Sequence, residues 1–588
     1  MLFNRRKRKN LETVSHEASS LSKQTTNPQA KKRIAIIGSG VSGLTCAHYL
    51  VAQHEVTVFE ANDYIGGHVN TIDVALQDGK KAKSSNVENS AIDTGFIVFN
   101  ERTYPNFFRL LHELQVPFQS TDMSFSVKNT ARHFEYNGHT LNTLLSQRKN
   151  VFNPKFWQFI KDILQFNKHI KQLRQDYEMA RAKGQDVSIF TEQTLGSYLT
   201  EKSYGKLFID NYFLPMVSAI WSTSLHEVQD FPLVFFAQFF DNHGLLDVVN
   251  RPQWFTIKGG SKQYVNKLIP RFIKAGGKVR VNSPVQSVVR DGEQVLLTVK
   301  NKSITDNNIE SLNEKLVFDE VIFACHADTA LKILEDASKD EHEVLSHFRF
   351  TKNTAVLHTD ISVLPNKPLA WASWNYLIDE NLANKTARQS GQSATENHTK
   401  KAQISAKPVL TYHMNILQRL TKKHNYLVTL NPETVHENID DKHVIKRIDY
   451  SHPVFDKAMI KAQSRWSSIS GNGMHTHTHF CGAYWFNGFH EDGVRSGLRV
   501  CQALGHDIAI KDEVDPTHLP DAESAHTPFR YKDLPVKADT KLRTLNKREV
   551  VTALTNQELI EYIERLQPTV KNDEPKRKRR LFGRHNVQ

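Results

Sequence analysis

Four cysteines are all that 588 residues hold, and Cys46, Cys325, Cys481 and Cys501 form no CxxC pair. That scarcity excludes a disulfide scaffold, speaks against a thiolate-bound zinc or iron–sulfur site, and suits a reducing compartment. Long apolar runs are missing too. No stretch reaches the about 18 apolar residues that a membrane span needs, so no transmembrane helix is expected. The nearest approach, residues 207–246, is interrupted by Asp210, Glu227, Asp230 and Asp241. It reads as core helices or the wall of an apolar pocket. No signal peptide is expected, because Arg5–Lys9 is followed by a polar stretch with no apolar segment. No Ser–His–Asp pattern, no HExxH motif and no internal repeat is visible.

What the chain does have is rings. Its 56 aromatic residues, within 39% apolar composition, exclude disorder of the whole chain and allow a large core. The length suits roughly two to four domains. The net charge of +13 is unevenly spread: residues 1–33 carry +7 and residues 571–588 carry +5, leaving +1 for everything between. A folded nucleic-acid-binding domain would carry the charge on its own surface, so no nucleic acid partner is expected. Each basic cluster adjoins a Leu-Phe pair, Leu2-Phe3 and Leu581-Phe582. Such tails suit an anionic membrane surface, or they are solvated tails that keep the protein soluble. Residues 1–30 read as a basic disordered tail and 511–588 as an extension ending in the second one.

The strongest local signal begins at Arg33. The run Arg-Ile-Ala-Ile-Ile reads as a buried parallel strand. Gly38-Ser39-Gly40-Val41-Ser42-Gly43 follows, then a helix expected over Leu44–Gln53, then a strand Glu55–Glu60 that ends in a carboxylate. This is the strand–turn–helix–strand setting of the dinucleotide fingerprint. Gly38 permits the tight turn, Gly40 lets backbone approach a pyrophosphate, and Gly43 lets helix and strand pack closely. The helix N-terminus favours the phosphate charge, and Glu60 can accept from ribose hydroxyls.

Past the acid comes Gly66-Gly67-His68, and further on Ile92-Asp93-Thr94-Gly95-Phe96. These segments resemble FAD-containing oxidoreductases of the amine oxidase and phytoene desaturase superfamily, in which the second runs close to the flavin ring. His68 stands where that superfamily usually has Arg. The resemblance implies FAD as cofactor and a C-terminal return to it. His479-Phe480-Cys481-Gly482-Ala483-Tyr484 and Gly488–Gly497 match that return; in relatives it sets a helix N-terminus by the flavin N1–C2 edge. Gly482, Glu491, Asp492, Gly493 and Val494 are the contacts it implies, with Glu491 and Asp492 on the ribityl chain. Tyr484 stands where amine oxidases usually have Glu. Cys481, ahead of the glycine, reads as a buried thiol. In the middle, Ile257–Ser261, a helix to Ala275, and Lys278–Val285 look like the segment that brings backbone, Val285 included, to the adenine.

The resemblance covers about residues 31–510. It implies an α/β fold: a discontinuous doubly wound, Rossmann-like FAD-binding domain (31–105, 251–335 and 465–510) and an α+β substrate domain (106–250 and 336–464). Val317–Cys325 reads as one buried strand, and residues 301–315 and 379–407 as polar loops. The segments Pro215–Ser222, Phe239–Leu246, Trp371–Tyr376 and Gly488–Gly493 further resemble a subfamily of predicted NAD/FAD-binding proteins. Relatives there are associated with cyclopropane-fatty-acid synthase-like methyltransferases. This implies redox chemistry on an apolar substrate, foremost the acyl chain of a membrane lipid, with a lipid methyltransferase as a partner. An amine oxidase acting on a small amine, and a non-catalytic flavin-bound partner of the methyltransferase, stay open. His243, His490 and Lys258 are the candidates for catalytic roles. His475, His477 and His479 alternate on one strand face; without a carboxylate no metal site is expected. The protein is expected in the cytoplasm, peripheral at the inner membrane face if the tails bind lipid.

Overall fold

The computed structural model describes residues 31–77, 87–221, 225–247, 251–305, 308–379, 409–434, 439–470 and 477–511. Both basic tails, His475 and the expected loop at 380–407 lie outside the described residues. The first strand, β1 (Arg33–Ile37), is the centre of a five-stranded parallel sheet. Helix α1 follows (Val41–Leu50), then β2 (Glu55–Phe59), which pairs with β1 in register from Arg33 opposite Glu55 to Ile37 opposite Phe59. On the other side of β2 runs Lys278–Arg280; on the other side of β1 run Glu320–Phe323 and then Thr478–Phe480. Strands from four distant segments thus make one sheet, and β-branched residues at Ile34, Ile36, Val56, Val58, Val321 and Ile322 are buried in it.

Two expectations fail here for local reasons. Helix α1 starts three residues earlier than Leu44, because Gly40 in extended conformation already serves as its N-cap. Val317–Cys325 is not one strand. It divides at Asp319, whose carboxylate accepts the Arg33 main-chain N–H (2.7 Å) and the Arg33 guanidinium (2.6 Å). Residues ahead of the division belong to an antiparallel meander, Val285–Asp291, Gln294–Thr305 and Asn308–Phe318. So 301–315, expected as a polar loop, is mostly paired strand, its ladder held by main-chain hydrogen bonds that need no apolar run.

A seven-stranded sheet forms the second layer. Its order is 444–453, 350–358, 427–430, 409–413, 374–378, 125–129 and 134–137. All its pairings are antiparallel except that of Trp374–Ile378 with Phe125–Asn129. Beside it lie the helices of 154–242, led by Pro154–Ala182, whose start carries Asn153 as N-cap and Pro154 in the first turn. One apolar cluster joins both layers, from Ile34 and Leu44 through Phe107 to Phe166, Phe208 and Phe236. A second cluster, with Ile72, Leu357, Tyr426 and Val428, sits under the seven-stranded sheet.

Candidate functional site: a glycine cradle and a ring of neutral histidines

The three glycines of the fingerprint face different things. A Cβ on Gly38 would lie 2.7 Å from the Ala324 carbonyl oxygen, and one on Gly43 would collide with the Gly38 carbonyl oxygen. Both are therefore held by close backbone packing. A Cβ on Gly40 would meet no protein atom within 4 Å. The space ahead of α1 is open only there, at the carboxyl end of β1, where doubly wound sheets take their ligands.

A second helix end arrives at the same place. The helix His490–Ala503 packs across α1; a Cβ on Gly493 would collide with Val41, and one on Gly497 would lie 2.7 Å from the Ser42 carbonyl oxygen. Two helix N-termini thus stand side by side, each with partial positive charge and free N–H groups. The turn at Gly66-Gly67 closes over them: a Cβ on Gly67 would lie 3.3 Å from the Gly40 Cα, and the Gly66 N–H donates to Ser39 Oγ (3.2 Å). Glu60 is buried at the end of β2. Its Oε2 accepts Ser39 N–H (3.0 Å) and Ser39 Oγ–H (2.5 Å), and its Oε1 accepts the Asn62 main-chain N–H (2.9 Å). Ribose hydroxyls would replace the weaker of these donors. An open glycine cradle, two converging helix ends and a buried carboxylate at the end of β2 fit a dinucleotide dianion.

Beyond the cradle the site is lined by rings. The His68 ring stacks on Tyr450 (centroids 4.8 Å apart) and lies 5.6 Å from the His452 ring; its Nε2 is buried without a hydrogen-bond partner. His326 stacks on Phe350 at 4.2 Å. Thr94 joins the group, its Oγ1 3.0 Å from the Tyr450 hydroxyl, and a Cβ on Gly95 would collide with the His68 carbonyl oxygen. Desolvation pulls the imidazoles down: His68 to about 3 and His452 to about 4, with His326 also below its ordinary value. At neutral pH this wall is uncharged. Tyr484 adds to it; the ring lies over Gly482 and the hydroxyl donates to the Cys325 carbonyl (3.3 Å).

Several expected roles change. Glu491 is committed elsewhere: its carboxylate accepts the Asn106 and Phe107 main-chain N–H groups (3.0 and 2.8 Å) and the Asn106 side-chain amide (2.6 Å). It caps helix α2 (Pro105–Leu114) instead of reaching a ribityl chain. Asp492 accepts the Phe489 N–H (2.8 Å) and caps its own helix. Val494 is buried in that helix, and Val285 opens the first strand of the meander. Lys258 is exposed at the turn after the strand Trp254–Ile257. His490 is boxed in, stacked on Phe96 at 3.7 Å with its Nε2 3.1 Å from the Tyr264 hydroxyl. His243 Nδ1 lies 2.9 Å from the Phe239 carbonyl, and burial lowers it to about 4. It lines a small cleft with Tyr104, Asp492 and Arg495. The three residues expected to carry chemistry are one surface lysine and two histidines held by structure.

Cys481 is buried, and the buried Cys46 thiol has the thiols of Cys481 and Cys501 as neighbours in the core. His477 and His479 lie away from the glycine cradle. They flank Glu320 (3.9 and 3.3 Å) beside Lys32, at the amino ends of the parallel strands, opposite the cradle. Among the described residues no His, Cys, Asp and Glu group is arranged to hold a metal. What sequence reasoning missed is the assembly of His326, Tyr450 and His452 around His68; no motif marks it, because the four come from three segments.

A sequence profile described as flavin containing amine oxidoreductase matches residues 41–359. Among curated proteins, an L-amino-acid oxidase of Bungarus fasciatus is 46% identical over 50 residues, 8% of this chain and 9% of that protein. The chain thus aligns with only about a tenth of such relatives. A 1-hydroxycarotenoid 3,4-desaturase of Flavobacterium sp. (strain P99-3) is 26% identical over 177 residues, 30% of this chain and 33% of the relative. Among solved structures, a putrescine oxidase A394C variant superposes with a TM-score of 0.51 at 13% identity, covering 81% of this chain and 99% of the other. A CLA-producing fatty acid isomerase from P. acnes gives 0.51 at 11% identity, covering 80% and 98%. At such identities the superpositions speak for the fold alone. No helix among the described residues is long and apolar enough to cross a membrane.

Proposed function

Because the chain belongs to the flavin containing amine oxidoreductase family, we propose that it is an FAD-dependent oxidoreductase that passes a hydride from an apolar substrate to FAD while the adjacent carbon loses a proton to solvent, leaving a double bond, with the acyl chain of a membrane lipid as the leading candidate. The observation that carries this reading is the uncharged wall. His68, His326 and His452 are neutral at working pH, and Tyr484 occupies the place where amine oxidases usually have a carboxylate. A hydrocarbon chain asks for such a wall; an amino acid would need a partner for its carboxylate. The partial likeness to a carotenoid desaturase points the same way.

FAD, once bound, supplies the hydride acceptor. The chain's own residues do the rest. The N–H groups at the start of α1, with Gly40 yielding space, would hold the phosphates. Glu60 would accept from ribose hydroxyls. The first turn of His490–Ala503 would offer its partial positive charge to a flavin that becomes anionic on reduction. His68, with a free Nε2 on a buried ring, orients the substrate side and keeps water out.

A lipid methyltransferase partner, an association with cyclopropane-fatty-acid synthase-like enzymes, and contact of the basic tails with an anionic membrane face belong to this proposal. Oxidation of a small amine is the second reading: rings can hold an ammonium by cation–π attraction, and Trp374 and Tyr412 stand perpendicular at 5.1 Å between the two apolar clusters. The test is anaerobic mixing of the FAD-loaded protein with detergent-dispersed phospholipids and with an amine panel. Bleaching of the flavin absorbance by lipids alone is expected. Bleaching by amines alone overturns the lipid reading.

A further inference from the structure

One surface far from any motif combines rings with cations. Leu141 (67% exposed), Phe152 (88%) and Trp157 (47%) are large apolar side chains left in solvent, with Val151 (40%) and Leu164 (51%) beside them. They share one tip of the molecule. Residues 148–152 form a tight turn that leads into the helix Pro154–Ala182. The Trp157 indole N–H donates to the Val151 carbonyl (2.8 Å), which folds that ring onto the turn. Arg148 ties the turn to the short helix Leu141–Leu144 through Asn142 Oδ1 (2.6 Å). Along the long helix, Trp157, Lys161, Leu164 and Lys168 recur at helical spacing on the solvent side, while Phe156, Phe159 and Phe166 face the core.

The charge of the tip has one sign. From Tyr136 to Lys161 there is no Asp or Glu, whereas Arg148, Lys149, Lys155 and Lys161 are all exposed. Asp162, the next acid, is buried and accepts Gln158 and the Gly205 N–H. Exposed Phe and Trp on an ordered turn, ringed by lysine and arginine, is the composition of a surface that enters the headgroup layer of an anionic bilayer.

We infer that this tip, Leu141–Lys161, docks the protein on an anionic lipid bilayer. The inference goes beyond the substrate reading and does not depend on it: the tip seats the molecule whether the substrate is a lipid or an amine. It also differs from the basic tails, which lie outside the described residues.

The full-length FAD-loaded protein carrying Phe152→Cys with an environment-sensitive dye is mixed with vesicles of phosphatidylcholine containing about one third phosphatidylglycerol, and with phosphatidylcholine alone. Ile189→Cys (position 75% exposed) carries the same dye as a control near the other end of the long helix, where the adjacent Phe190 packs on Tyr177, about 35 Å along the helix from Pro154. A blue shift at position 152 with anionic vesicles only, none at 189, and at least tenfold weaker co-sedimentation of Phe152→Ser/Trp157→Ser support the inference. Unchanged flavin content and melting of that variant show that it is folded. Co-sedimentation without a shift at 152 assigns binding to the tails and overturns it. No co-sedimentation, or a lipid-free shift that grows with protein concentration and so reports a second copy, also overturns it. Lipid oxidation is read separately by flavin bleaching in detergent, so either proposal can fail alone.

Discussion

Between Gly38 and Glu60 the site is made of backbone: an open glycine, a helix end and one carboxylate, all within 23 consecutive residues. Between His68 and His452 it is made of rings delivered by segments hundreds of residues apart. The first half works through peptide dipoles and the absence of a side chain, so its chemistry is written in local spacing. The second works through mutual desolvation, which exists only once the chain has closed on itself. The difference makes the two halves separately breakable.

The largest effect is expected at Gly43. Its Cβ would run into the Gly38 carbonyl oxygen, a backbone atom that cannot swing away. Gly43→Ala should cost about 3 kcal/mol or more and lower the melting temperature of the apoprotein as well as the FAD-loaded protein. Glu491→Ala comes next. It strips three donors at the start of α2 of their acceptor, at about 1 kcal/mol each. Burial lifts this carboxyl from 4.5 to about 8. The folded chain then keeps a proton that the unfolded chain releases, so this group makes stability fall as pH rises from about 4.5 to about 8. Glu491→Gln should flatten that stretch of a urea-midpoint profile; an unchanged slope would sink the assignment.

Gly40 sharpens the contrast with Gly43. A methyl group there meets no protein atom, and the φ of −64° suits alanine. Gly40→Ala should leave the apoprotein melting curve within about 0.5 kcal/mol of wild type while weakening FAD binding by about tenfold or more, as read by flavin fluorescence titration. Equal damage to the apoprotein would mean that the cradle is not open. The smallest effect is expected at Lys258, an exposed side chain. Lys258→Ala should change flavin reduction rates by less than about twofold and stability by under about 0.5 kcal/mol.

The parallel sheet was legible because β1, α1 and β2 are contiguous and their β-branched strands and glycine turn follow local rules. The helix start was misread by three residues because a glycine N-cap looks like part of a loop. The division at Asp319 escaped notice because it depends on Arg33, 286 positions away. The same holds for Glu491: next to a glycine-rich return it resembles a cofactor ligand, and only the approach of Asn106, 385 positions away, shows what it binds. Lys258, beside a Gly-Gly pair, drew attention for its neighbours although its own side chain faces water.

By itself the sequence determined the dinucleotide unit at residues 33–60, the family-like return at Gly482–Gly497 and the near-neutral middle of the chain. The first two depend on residue order over short contiguous stretches, and the third on composition alone. Tertiary structure alone decided which glycine opens on the ligand side, that the histidines lose their charge, and that Phe152 and Trp157 stand in solvent among lysines. Those properties belong to distances between segments, and burial, which sets both pKa and exposure, has no value until the segments have packed.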